Sequence, residues 1–279
     1  MNESNTYTQM ETSAEQKTIE VGKFSNNNHC YYIGPQKLNR NAYKYMDLET
    51  AMLCIKYGNI RFAQPDTWPD KYEGRFYNAD YSNVSHNKGN TPKLYACCIT
   101  FTGVSEAAWN TYTYNKSGIG ARCVQFKFDK TKFRKALDKY ATLHKKECTY
   151  EIYEGAVSYD YSDYQIDGIH LKKSSLYNQY FNNFHKENYL SLLLIKRPAF
   201  KYEEEYRFFI IPGTQSKLKP YIDINVPWKD IIKEIRVDER CSDVEIEAFK
   251  EFCRKYGINE DLIIKLNLHS NPQPNITIE

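Results

Sequence analysis

The chain has 279 residues, 41% hydrophobic and 26% charged, with a formal net charge of +3. That length and mix can bury a sizeable core and exclude a disordered or collagen-like chain, while the charge is too small to argue for nucleic-acid binding by itself. There is no run of about eighteen apolar residues, and the start (M-N-E-S-N-T-Y-T-Q-M-E-T) has neither the basic residues nor the apolar core of a secretory leader, so neither a membrane nor an export route is expected.

In chain order, residues 1–28 are polar and read as a flexible arm, followed by one domain over 29–270 and a tail at 271–279. Order is expected from Cys30-Tyr31-Tyr32-Ile33, then a short strand at Ala42–Tyr45. Asp47 caps a helix with Leu48, Ala51, Met52 and Ile55 on one stripe, and Gly58 stops it. Ile60–Ala63 reads as a strand, and Q-P-D-T-W-P-D-K-Y-E-G (64–74) as a loop. Lys93–Thr102 reads as a buried strand, Ala107–Tyr114 as a short helix and Arg122–Phe128 as a strand. Asp129 caps a helix carrying Phe133, Leu137 and Tyr140. Gly155–Tyr159 is an expected strand and 174–195 a helical stretch. A strand at Lys233–Val237 and a Ser242/Glu245 capping box follow; the boxed helix ends at Gly257, before a last strand at Ile263–Leu268. Strands with interspersed helices, without regular β-α-β alternation, predict an α+β fold with a mostly antiparallel, mixed sheet and flanking helices.

The eight cysteines form no C-x-x-C pair and lie at no zinc-ligand spacing from the six histidines, so reduced thiols in a cytoplasm are expected and no metal site. There is no G-x-G-x-x-G, P-loop, G-x-S-x-G or H-E-x-x-H. The 25 tyrosines suit half-buried strand faces as well as stacking on bases or nicotinamide. The most informative stretch is Lys196–Arg207, K-R-P-A-F-K-Y-E-E-E-Y-R, running into Phe208–Ile211. Read as one strand, it puts Glu203, Glu205 and Arg207 on one face. Either the arginine neutralises the acids in a structural network, or the face lines a pocket where carboxylates do chemistry.

An ordered set of motifs carries a resemblance. Lys44-Tyr45, Asp70-Lys71-Tyr72-Glu73, Cys98-Ile99-Thr100, Trp109 with Tyr112, Cys123-Val124-Gln125-Phe126 and Tyr202–Arg207 follow one another. They resemble the series K-Y, D-P-F-E, C-F-S, W-x-x-Y, C-I-x-F and W-x-Y-E-x-E-Y-R of a widespread bacterial family of unknown function, associated with phage defence. Lys71, Thr100 and Phe200 depart from it. The layout is also similar to ADP-ribosyltransferases, which place an NAD-binding residue on an early strand and an E-x-E late in the chain. The resemblance implies an ADP-ribosyltransferase-like fold, NAD as substrate and a toxin or phage-defence effector acting on protein, RNA or DNA. It also implies an antitoxin or regulatory partner. Glu205 would stabilise the developing charge and Glu203 accept the proton of the attacking group. Lys44, Tyr45, Thr100, Trp109, Tyr112 and Arg207 would form the NAD site, with Arg207 also expected to pair structurally with Asp70 or Glu73. The rival classes are a non-catalytic module for nucleotide or nucleic acid, and a structural or partner-binding protein with an ion network. The catalytic class requires the strands around Tyr45, Thr100 and Glu205 to be adjacent.

Overall fold

The computed structural model describes residues 20–25, 27–36, 41–68, 72–84, 89–113, 122–159, 181, 184–214 and 218–267. Asp70, Lys71, the expected tail and residues 1–19 of the expected arm lie outside them. The strands are β1 (Val21–Lys23), β2 (Cys30–Ile33), β3 (Asn41–Asp47), β4 (Asn59–Ala63), β5 (Tyr95–Thr100), β6 (Cys123–Asp129), β7 (Tyr150–Ala156), β8 (Glu205–Pro212), β9 (Tyr221–Asn225), β10 (Ile232–Val237) and β11 (Ile263–Lys265). They form one open sheet in the order β1-β2-β7-β8-β5-β3-β6-β10-β11, with β4 joining β5 to β9. Only β2–β7 and β10–β11 are parallel pairs among those described. The helices are α1 (Leu48–Tyr57), α2 (Glu106–Thr113), α3 (Lys130–Leu143), α4 (Lys186–Leu192), α5 (Trp228–Ile231) and α6 (Asp243–Lys255). The architecture is therefore mixed α/β with a mostly antiparallel sheet.

Local chemistry sets many of these boundaries. Asp47 accepts the Thr50 amide at 2.7 Å and Asp129 the Lys132 amide at 3.0 Å, each satisfying an otherwise orphaned donor of the first turn. Gly58 ends α1 at φ 59°, in the left-handed region that a side chain disfavours. Ser242 and Glu245 make the reciprocal box at the start of α6.

The sheet has a core on each face. α1, α3 and α6, with Trp228, pack on one face, and Phe76, Tyr77, Tyr81 and Leu94 with α4 cover the other. Strand β8 lies between them, all eight residues buried. Tyr206, Phe208 and Ile210 enter the first core, Phe209 and Ile211 the second. By alternation Glu205 and Arg207 share the second side. Burial on both faces explains the continuous apolar run at 208–211. Strands β8, β5 and β3 are consecutive, and Thr100 pairs with both Glu205 and Tyr43.

The structure departs from the sequence expectation in four places. Val21–Lys23, inside the expected arm, pairs with β2. The strand expected at Gly155–Tyr159 instead covers Tyr150–Ala156. Glu154, just ahead of that expected strand, is 1% exposed and clamped by Arg134 at 2.5 and 2.7 Å, with the Tyr206 hydroxyl donating at 2.7 Å. β9 and α5 were not anticipated. Glu203 is not on the strand at all: Pro198–Glu203 is a 3-10 turn, and Glu204 reverses the chain at φ 41° before β8 starts.

Candidate active site

That turn brings together groups that an extended chain would separate. Seven residues of strand would put Lys196 about 23 Å from Glu203. Coiled as it is, the segment sets the Lys196 ammonium against three carboxylates: Glu203 in a short contact, Glu73 at 2.9 Å and Glu205 at 3.0 Å. Arg207 closes the cluster. Its Nε and Nη2 donate to the two Glu205 oxygens at 2.8 and 3.1 Å, Nη2 also to Glu73 at 2.7 Å, and Nη1 to the Leu193 carbonyl at 2.6 Å. The Trp68 ring covers the guanidinium at 4.6 Å. Among the described residues, three carboxylates thus face two cations, so the ion pairs of the cluster leave one carboxylate in surplus.

The two neighbouring acids are driven apart. Burial would raise the Glu205 carboxyl, but the Arg207 and Lys196 charges overcome it and hold it down at about 2. Glu203 goes the other way: burial raises it, Lys196 only partly offsets that, and the Glu205 and Glu73 charges add to the rise. The Cys98 thiol beside them is pushed far up, by burial first and by Glu205 next, so it stays protonated and is no thiolate nucleophile.

Glu203 and Glu205 form one wall of a cavity of about 330 Å³. Lys44, Tyr45 and Thr100 also line it, as do Tyr43, Arg61, Trp68, Cys98 and Tyr202. Lys44 donates to the Cys98 carbonyl at 2.9 Å. Thr100 donates to the Glu203 carbonyl and accepts the Thr102 amide at 3.0 Å, tying the 3-10 turn to β5. Burial raises the Tyr45 phenol to about 12, so it remains neutral.

A family model described as "Protein of unknown function (DUF2971)" matches residues 108–208. The match takes in Trp109, Lys196, Glu203, Glu205 and Arg207, whereas Lys44, Glu73 and Thr100 precede it. No curated protein and no solved structure matches the chain.

Of the residues singled out in the sequence, the structure gathers Lys44, Tyr45, Thr100, Glu203 and Glu205 at one cavity. Trp109 stands behind it, 2% exposed and edge-on to Tyr45 at 5.2 Å. Tyr112 is on α2, with its side chain outside the description. Arg207, expected among the NAD-binding groups, is 0% exposed with its donors directed at Glu73, Glu205 and Leu193, so it holds Glu205 rather than lining the cavity. Its pairing with Glu73 is one of the two expected. Sequence reasoning missed Lys196 and Trp68. Lys196 opens the very stretch judged most informative, but only Pro198, at the first position of the 3-10 turn, hints that it folds back.

Proposed function

We propose that this cavity is the active site of an ADP-ribosyltransferase-like enzyme that takes NAD as substrate and transfers or hydrolyses its ADP-ribose. The observation that carries this is the excess of carboxylates over cations, counted among the described residues, in the Glu73–Glu203–Glu205 cluster at a wall of an aromatic-lined cavity. The nicotinamide ring of NAD is a cation, and the ribose carbon it leaves becomes cationic in the transition state. A fixed, always-ionised carboxylate favours both, the second more as charge concentrates. In the step, the C1′–N bond breaks and its electron pair stays on nicotinamide, which departs neutral. Glu205 stabilises the positive ribose carbon. The acceptor oxygen or nitrogen, or water, bonds to C1′, and its proton passes to Glu203, whose raised affinity for protons suits a general base. Lys44 and Arg61, the second at the exposed side with Asp223 at 3.0 Å, supply positive charge for the diphosphate. Aromatic rings at Tyr43, Tyr45, Trp68 and Tyr202 supply faces for the base.

A second reading, a non-catalytic nucleotide-binding module, draws on one observation: both Glu205 oxygens are already engaged by Arg207 and Lys196. Nicotinamide release by the purified chain, with protein, RNA and DNA acceptors offered in turn, separates the two. Glu205→Gln leaves two carboxylates opposite two cations, and a thermal melt run beside the assay checks that the fold is retained. Release should fall on the order of 100-fold, about 3 kcal/mol of transition-state stabilisation. NAD binding without release would favour the module, and neither binding nor release would sink both. From the resemblance alone, the activity belongs to a toxin or phage-defence effector restrained by an antitoxin or regulatory partner.

A further inference from the structure

A track of aromatic rings and guanidinium groups leads outward from the candidate active-site cavity. Tyr202 lines the cavity, its hydroxyl 3.2 Å from that of Thr111, and its ring lies 6.4 Å from that of Phe200. The Arg197 guanidinium covers the Phe200 ring at 4.9 Å and the Tyr72 ring at 4.6 Å, and Arg75 reaches the same Tyr72 ring at 4.7 Å. Unlike the neighbouring carboxylate cluster, this track meets solvent: Tyr72 is 55% exposed, and the other four side chains are half-buried. Glu73 turns from Tyr72 to Lys196 at 2.9 Å and Arg207 at 2.7 Å, so its carboxylate belongs to the cluster. Among the described residues, Arg75 pairs with no carboxylate.

We propose that a single-stranded nucleic acid binds along this track and is the acceptor of the ADP-ribose. The acceptor role rests on the function proposed above; the binding does not. Rings interleaved with guanidinium planes match what an unpaired strand presents at each nucleotide, a flat base to stack and a phosphate to pair. A duplex hides its base faces and gains only the phosphate contacts. An acidic peptide would use the two arginines and leave the rings without a role. A strand that follows the rings to Tyr202 reaches the cavity. There a base nitrogen or sugar hydroxyl bonds to C1′, nicotinamide leaves with the electron pair, and the displaced proton passes to Glu203.

Fluorescence anisotropy of the full chain with a labelled strand of about twelve nucleotides tests the binding. The strand should bind saturably, and a duplex of the same sequence roughly fivefold or more weakly, for want of a base stack. Tyr72→Ala should weaken the strand by a similar roughly fivefold or more. Arg75→Ala should flatten the slope of log affinity against log salt by about 0.7, as one lost phosphate contact requires. Nicotinamide release, measured with and without the strand, separates this inference from the reading it rests on. Release that rises with the strand and leaves ADP-ribose on it supports both, and Tyr72→Ala should lower that rise alone. Strand binding without release under any condition overturns the acceptor role together with the enzyme, while the strand site stands. Release to water or protein, with no saturable strand binding up to about 0.1 mM, leaves the enzyme and overturns the strand site. Tighter binding of the duplex or of a polyglutamate peptide, or unchanged affinity and salt slope in both variants, would overturn it as well.

Discussion

Replacing Lys196 with methionine removes one charge and little volume from the centre of the carboxylate cluster. At an effective dielectric of about 20, each Lys–Glu pair near 3 Å attracts by about 5 kcal/mol, most of it offset by the cost of taking both ions out of water. What remains after Lys196→Met is worse than a lost pair. Among the described residues Glu73 and Glu205 then keep only Arg207 and Glu203 keeps no ion pair, so carboxylates exceed cations by two at positions 6–13% exposed. Breaking a buried ion pair this way costs about 3–5 kcal/mol. At about 2–4 °C per kcal/mol, the melting temperature at pH 7.5 should fall by roughly 6–20 °C. The pH dependence identifies the cause. In the parent protein the Glu205 pKa is held below its unfolded value, so its stabilisation is present above the unfolded pKa and is lost as pH falls toward about 2. In the variant Arg207 still holds Glu205 down, but Glu203 loses the Lys196 charge that partly offset its burial, so its carboxyl rises further above its unfolded value. The folded state then binds more protons than the unfolded one, so stability is regained as pH falls through the raised Glu203 pKa toward the unfolded carboxylate value. Thermal melts of both proteins across that range should show the deficit shrinking on acidification. A variant melting within about 2 °C of the parent, or a deficit that is flat with pH, would refute the ionised network.

Three other substitutions probe separate links. Glu203→Gln should abolish the rise of nicotinamide release with pH that deprotonation of Glu203 produces, while leaving NAD affinity within about threefold; a pH–rate profile of unchanged shape would remove Glu203 from the base role. Gly155→Val should lower the melting temperature by several degrees, because a Cβ there would sit 2.4 Å from Leu194 Cδ1 and 3.1 Å from the Ile33 carbonyl, an overpacking of about 1–3 kcal/mol; an unchanged melt would count against that close approach. Expression of the chain alone in a bacterium should slow growth, and Glu205→Gln should relieve it; equal, normal growth with abundant soluble protein of both forms would speak against a toxin.

Much of the local structure was legible because its causes lie within a few residues. Asp47 and Gly58 bracket α1, Asp129 opens α3, and Ser242 with Glu245 opens α6, each through a bond or backbone angle that neighbouring residues supply. The buried strand at Phe208–Ile211 was likewise readable from its apolar run. What the sequence could not display is which distant groups neutralise one another. Glu154 looks like a surface charge until Arg134 and Tyr206 are seen around it. Glu203 and Glu205 look like neighbours on a strand, yet they meet because a 3-10 turn and the left-handed Glu204 fold Lys196 back between them and Glu73. Composition and spacing placed carboxylates, an arginine and aromatics in the right order along the chain. Only the packing of β3, β5 and β8 decided which of them face a cavity, which are sealed behind it and what charge is left over. That charge balance depends on distances of a few ångströms between groups as far apart in sequence as Glu73 and Arg207, and no local rule encodes such distances.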